Sequence, residues 1–260
     1  MPLASEDKIT DADKKTIAEI TDGISAVLGS NLRSIILRGS VACGRALDGI
    51  SDLDLVIFPY DFSENQRGQI EGLSVSLSPG LKNRFSLIDL SYVDAGELRY
   101  VEKNARMILS LKLTGIVIFG EDIISDIEPM KISQQTARRI AGQALRETKD
   151  NVDLLAAGTR EFPYMGVNRG TGFFCVWMMR VLCRGLIAPV MAREPVFTLN
   201  VEAAGAEYIR LFPEHAPYVE RLLEWEKRPT QDAHEIILLV NEFAPLYREA
   251  CLTSGLELSI

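Results

Sequence analysis

Residues 37 to 58 read LRGSVACGRALDGISDLDLVIF, and both the fold and the chemistry of this 260-residue chain turn on them. The run Ser34 to Leu37 is a short buried strand that delivers the chain into Gly39 and Ser40. A residue without Cβ lets backbone amides approach an anion, and a hydroxyl beside it can join them, so this turn suits a phosphate. Asp52 and Asp54 then stand two apart at the start of a second strand, Leu53 to Phe58, which Pro59 ends. A strand period of two puts both carboxylates on one face. At ~4 Å and an effective dielectric of about 20 their repulsion is roughly 4 kcal/mol, which a bound cation removes. Oxygen ligands without His or Cys select a hard ion, and Mg²⁺ takes one or two carboxylates plus substrate phosphates. The segment therefore predicts a metal-NTP site: Gly39 and Ser40 on the terminal phosphates, Mg²⁺ on Asp52 and Asp54, Arg45 toward departing pyrophosphate, and Ser51 as a further hydroxyl.

Outward from this segment, apolar spacing at Ile17, Ile20, Ile24 and Val27 predicts a helix over 12 to 28. Residues 63 to 77 and 96 to 113 read as helices, and Arg84 to Val93 and Ile116 to Phe119 as strands. Strands alternating with helices predict a mixed sheet backed by helices. Beyond about residue 130 the pattern turns helical, with candidates over 132 to 157, 170 to 187, 200 to 211, 217 to 227 and 231 to 252, and breaks at Pro163, Pro189, Pro195, Pro213 and Pro229. Phe173 to Leu186 is apolar nearly all round and predicts the central helix of a bundle. The fold class is α+β: an N-terminal domain, 1 to 130, a C-terminal helical bundle, 131 to 260, and the active site between them.

Composition narrows the partners. The 36 acidic against 28 basic residues leave a net charge of −8, which argues against nucleic acid. Residues 1 to 129 hold 20 acids and 13 bases, whereas residues 130 to 260 hold 16 and 15. Cys43, Cys175, Cys183 and Cys251 lack metal or disulfide spacing and read as reduced packing thiols. No apolar run is read as approaching membrane-span length, so the expectation is a soluble, cytoplasmic protein.

Gly39-Ser40, an Arg-containing loop, and Ser51-Asp52-Leu53-Asp54-Leu55 together resemble the signature of the polymerase β-like nucleotidyltransferase superfamily, especially its small bacterial branch with the aminoglycoside adenylyltransferases. The resemblance implies a third carboxylate from a neighbouring strand. Asp89, in FSLIDLSYVD, supplies it as a metal ligand or proton acceptor, with Asp94 in reserve. It implies transfer of a nucleoside monophosphate, AMP from ATP, onto a small-molecule hydroxyl such as that of an aminoglycoside, with release of pyrophosphate. The C-terminal helices would then bind the acceptor. The sequence departs from that branch where it tends to carry a Ser-Lys pair near residues 198 to 206: Thr198 and Leu199 stand here, and no Lys follows until Lys227. A protein side chain as acceptor, as in an adenylylating antitoxin, and a catalytically silent nucleotide-binding module are the alternatives. Arg169, Arg180, Arg184 and Arg193 either face a triphosphate or form ion pairs within the bundle. His215, beside Pro213, and His234, in a predicted helix, read as loop or helix-surface residues.

Overall fold

A computed structural model of the chain describes residues 3–49, 51–81, 83–100, 104–128, 132–164 and 167–258. It divides into two compact units, Met1–Met130 and Lys131–Ile260. The junction, residues 129 to 131, lies outside the described residues.

The first unit runs α1 (Asp11–Leu28), β1 (Leu32–Arg38), α2 (Gly39–Ala42), β2 (Leu53–Pro59), α3 (Glu64–Leu81), β3 (Ile88–Tyr92), α4 (Ala105–Thr114), β4 (Ile116–Gly120) and α5 (Ile123–Asp126). Its four-stranded sheet has the order β3-β2-β1-β4. β1 runs antiparallel to β2 and β4, and β2 parallel to β3. The β1–β2 connection is long and carries the Gly39-Ser40 turn; β2 returns to a parallel neighbour through α3, as a parallel pair requires.

β1 and β2 are buried along most of their length because both faces of the sheet are apolar. Ile36, Val56 and Phe58 point to one face, where Ile108 and Leu111 of α4 and Ile123 of α5 join them in one cluster. Ile35, Leu37, Leu55 and Ile57 are buried on the other, and α1 packs on β1 and against α3. Ile17, Ile20 and Ile24 form the buried stripe of α1. Truncating one such isoleucine to alanine would cost about 2–5 kcal/mol.

Two expected elements are shorter than their sequence patterns. The strand read over 84 to 93 is confined to Ile88–Tyr92, since the chain leaving α3 first makes a turn in which the Arg84 and Phe85 amides both donate to the Leu81 carbonyl at 2.8 Å. The helix read over 96 to 113 is a 3₁₀ turn, Ala95–Arg99, followed by α4. The helix read over 63 to 77 is longer, with Gly68 and Gly72 accommodated inside α3.

The second unit contains α6 (Gln134–Ala156), a hairpin of β5 (Glu161–Tyr164) and β6 (Val167–Gly170), then α7 (Thr171–Gly185), α8 (Ile187–Arg193), α9 (Val201–Leu211), α10 (Ala216–Lys227) and α11 (Ala233–Thr253). α7 packs against α6, α8, α9 and α10, and Phe174, Met178, Met179 and Leu182 sit in the core. Pro189 does not break the chain: it is the third residue of α8, in the first turn, where a missing N–H leaves no helical bond unmade. The hairpin replaces the break expected at Pro163. The stretch Thr171–Arg193 does reach the length and mean hydropathy of a membrane span, contrary to the sequence expectation, and 72% of its 18-residue apolar window is buried inside the protein. That burial is what a bundle's central helix requires.

Candidate active site

Register builds the site. Arg38 at the end of β1 pairs with Asp54 of β2, and Asp54 pairs with Asp89 of β3. Three charged residues therefore form one row across three adjacent strands, on the face that carries Ile36, Val56 and α4. The Arg38 Nη2 lies 3.2 Å from an Asp54 oxygen and 3.7 Å from an Asp89 oxygen. Its Nη1 donates to the Ser110 hydroxyl of α4 at 3.5 Å. Its Nε is buried without a hydrogen-bond partner.

Asp52 lies just before β2 on the same face. Strand pairing continues past it, because the Leu53 amide donates to the Leu87 carbonyl and the Ser86 amide to the Ser51 carbonyl, each at 2.9 Å. The Ser86 hydroxyl donates to the Asp52 carboxylate and orients it.

These acids act on one another. Burial pushes the Asp89 carboxyl up from 3.8 to about 6, the Asp54 charge adds to the rise, Arg38 opposes it, and Asp52 and a hydrogen bond with Asp54 add further to it. Asp89 thus exchanges its proton close to neutral pH, where a general base is most useful.

Gly39 follows Arg38 with φ +79°, a conformation that disfavours any side chain. A Cβ there would lie 2.3 Å from an Asp54 oxygen, so the glycine makes room for the carboxylate. The Gly39 amide donates to the Thr114 hydroxyl at 3.3 Å, and that hydroxyl donates to the Ser110 carbonyl at 2.8 Å. The last turn of α4 therefore positions both Arg38 and Gly39. Ser40 follows, half-buried, and its carbonyl accepts from the Arg45 amide at 2.9 Å.

Of the residues singled out from sequence, the structure brings Gly39, Asp54 and Asp89 together, with Asp52 beside them. Arg45 is exposed in the loop after α2. Ser51 is buried, and its hydroxyl oxygen accepts from the Leu47 amide at 2.9 Å, bracing the loop. Asp94 is exposed and caps the 3₁₀ turn by accepting from the Gly96 amide at 2.7 Å, away from the row. Cys43 is buried as a packing residue. Arg38, Ser86 and Thr114 were not singled out from sequence. For Arg38 a signal existed: it shares the strand parity of Ile36 and directly precedes Gly39.

Arg180 and Arg193 serve the packing of the second unit. Arg180 pairs with Glu226 at 2.6 Å. Arg193 donates to the Ser254 hydroxyl at 2.9 Å and to the Thr253 carbonyl at 3.1 Å, and lies over the Phe212 ring. The side chain of Arg169 lies outside the described residues. His215 is a correction: it is buried, its Nδ1 2.8 Å from the Tyr208 hydroxyl, and stacked on Phe212. His234 is exposed, as read.

Among the described residues no three His, Cys, Asp or Glu side chains converge as a ready metal cage. Magnesium asks less of a protein, since one or two carboxylates suffice when substrate phosphates complete the shell. The oxygen-only set of Asp52, Asp54 and Asp89, with one carboxyl pushed up by burial and then by its neighbours' charge, fits a hard divalent cation.

No protein-family model matches the sequence, and no curated protein matches it. By fold, the chain is similar to a nucleotidyltransferase: a small mixed sheet with helices, followed by a helical unit. One similar solved structure is the crystal structure of spectinomycin adenyltransferase AAD(9) from Enterococcus faecialis with ATP and spectinomycin, matched with a TM-score of 0.59 at 16% identity over 90% of this chain and 99% of that one.

Proposed function

We propose that this protein is a nucleotidyltransferase that moves AMP from ATP onto a hydroxyl of a small molecule and releases pyrophosphate. The observation that carries this reading is the Arg38–Asp54–Asp89 row with Asp52 on its face, directly beside the Gly39-Ser40 turn. The fold it shares with an adenyltransferase solved with ATP and spectinomycin supports the same class and suggests an aminocyclitol or aminoglycoside antibiotic as acceptor.

Asp52, Asp54 and Asp89 would hold magnesium, which when bound supplies charge neutralisation of the triphosphate and Lewis-acid polarisation at the α-phosphorus. The protein's own groups do the rest. Gly39 and Ser40 offer a backbone that an anion can approach closely, and they bind the terminal phosphates. Asp89 accepts the proton of the acceptor hydroxyl. The acceptor oxygen forms its bond to the α-phosphorus as the bond from that phosphorus to the β-phosphate oxygen breaks, and pyrophosphate carries away the electron pair. Arg45, exposed in the neighbouring loop, meets the leaving pyrophosphate. Positioning and electrostatics supply most of the acceleration. Residues 131 to 260 are proposed to bind the acceptor.

The test is pyrophosphate release with Mg²⁺ and each of the four NTPs against aminocyclitols, aminoglycosides, lincosamides, small metabolites and a protein extract. Release with ATP and a small-molecule hydroxyl, abolished in D52N, is the expected result. Label from ATP appearing on protein instead would move the acceptor class, and D52N turning over at the wild-type rate would overturn the site.

A further inference from the structure

The turn that carries Gly39 and Ser40 is held from a helix far along the chain. A threonine hydroxyl has one proton to give, and Thr114, the last residue of α4, gives it to the Ser110 carbonyl one helical turn back, at 2.8 Å. Its oxygen therefore meets the Gly39 amide, 3.3 Å away, only as an acceptor. Thr114 is 3% exposed and Ser110 8%, so bulk water does not compete for these bonds. The close approach depends on Gly115. A Cβ there would stand 2.5 Å from the Leu111 carbonyl oxygen and 3.2 Å from the Ile36 side chain of β1; without it the end of α4 closes onto β1 and brings Thr114 to the first residue of α2.

The far side of Gly39 is taken as well, since its carbonyl accepts from the Cys43 amide at 3.2 Å. The Gly39 N–H is thus spent inside the protein and is not available to an anion. Gly39 contributes its bare Cα and the shape of the turn, at φ +79°. What the turn presents is Ser40, half-buried, whose hydroxyl has no partner among the described residues.

We infer that Thr114 is a positioning residue for the triphosphate: its hydroxyl fixes the Gly39 turn in the one arrangement that presents Ser40 to the terminal phosphates, acting through Gly39 and not by contact. Without that hydroxyl the Gly39 N–H is left without its acceptor, and the turn must rearrange to satisfy it. The inference rests on the reading of Gly39-Ser40 as the phosphate seat, and its test needs no turnover.

The experiment is calorimetric titration of the full-length protein with ATP and with inorganic tripolyphosphate, each with Mg²⁺, alongside amide hydrogen exchange at Gly39 read by NMR. Thr114→Val keeps the shape and loses the hydroxyl. It should bind both ligands about tenfold more weakly, and its Gly39 amide should exchange about tenfold faster. Thr114→Ala, a second variant without the hydroxyl, guards against a valine variant that fails to fold. Thr114→Ser restores the hydroxyl and should return both readouts to within about twofold of wild type. Affinities are expressed per folded molecule, counted from urea unfolding, so that a loss of stability alone does not imitate the effect. Valine and alanine variants that bind as wild type does, a serine variant as weak as they are, or Gly39 exchange that stays at the wild-type rate without the hydroxyl would overturn the inference alone. Wild type that binds neither ATP nor tripolyphosphate would overturn the nucleotide reading and the inference with it.

Discussion

Two arginines in the first unit meet two acids each, with opposite results. Arg84 grips Asp13 with two nitrogens, its Nε 2.7 Å from one carboxylate oxygen and its Nη2 2.5 Å from the other, and a third nitrogen meets Asp48. Burial resists ionisation of Asp13, but hydrogen bonds from Arg84 and from the capping Thr10 outweigh it, and the carboxyl sits below its ordinary 3.8. Arg38 instead reaches its two acids with a single nitrogen at 3.2 and 3.7 Å, and burial together with the neighbouring charge pushes Asp89 up to about 6. The first arrangement is a closed clamp that ties α1 to the chain after α3. The second meets its two acids through one nitrogen only, and the charge of a third acid, Asp52, acts on Asp89 as well. On the proposed reading of the site, that negative charge is what a bound cation would offset.

The comparison is broken most forcefully by removing one acid from the open row. Asp54→Asn takes away a proposed metal ligand and the partner of both Arg38 and Asp89. Pyrophosphate release should fall about a thousandfold or more, while thermal unfolding of the metal-free protein stays where it was or moves up, because a like-charge neighbour of Asp89 has gone. Turnover within tenfold of wild type would reduce the row to a structural feature.

Arg84→Met should do the reverse. Asp13 has a side chain only 3% exposed, and removing its partner leaves a buried, uncompensated charge. A loss of about 3 kcal/mol in denaturant unfolding is expected, with transfer activity per folded molecule unchanged. If activity per folded molecule fell in step with D54N, the two arginines would belong to one functional network and the contrast between them would be wrong.

How much of this contrast could be read from sequence depends on which interactions are local. Asp52 and Asp54 share a face by strand period alone, and Gly39-Ser40 announces a tight turn by composition, so the region of the site was legible. Asp89 could be placed mid-strand and assigned a role through the family resemblance, but its pairing with Asp54 is a matter of parallel register. Arg38 was missed for the same reason. The connection between β1 and β2 is too long to fix a hairpin register, so nothing in the local pattern aligns Arg38 with Asp54. Arg84 was read as the first residue of a strand, because a distant buried acid on α1 leaves no mark on its neighbours. His215 looked like a surface residue beside Pro213 for want of any sign that Tyr208, one helix earlier, would turn toward it.

The finest discrimination between the two sites is the sign of their pH dependence. Asp13 has a depressed folded pKa, so its contribution is complete above the unfolded value of 3.8 and is lost as pH falls through the lower folded value. Asp89 has a raised folded pKa. Its contribution is complete below 3.8 and is lost as pH rises through about 6. Metal-free protein in a chelator should therefore lose about 1 to 2 kcal/mol of stability between pH 4 and pH 7 from the open row, a slope that Asp89→Asn removes and Asp13→Asn does not. Asp13→Asn should instead flatten the loss below pH 4. The measurement is the urea midpoint of wild type and the two variants from pH 3 to pH 7.5, repeated with Mg²⁺. Adding the ion should flatten the upper slope in wild type, since a bound cation stabilises the ionised carboxylates and leaves the Asp13 clamp untouched. Parallel curves for wild type and D89N between pH 4 and pH 7 would show that Asp89 carries no excess charge, and that the open row is as closed as the clamp.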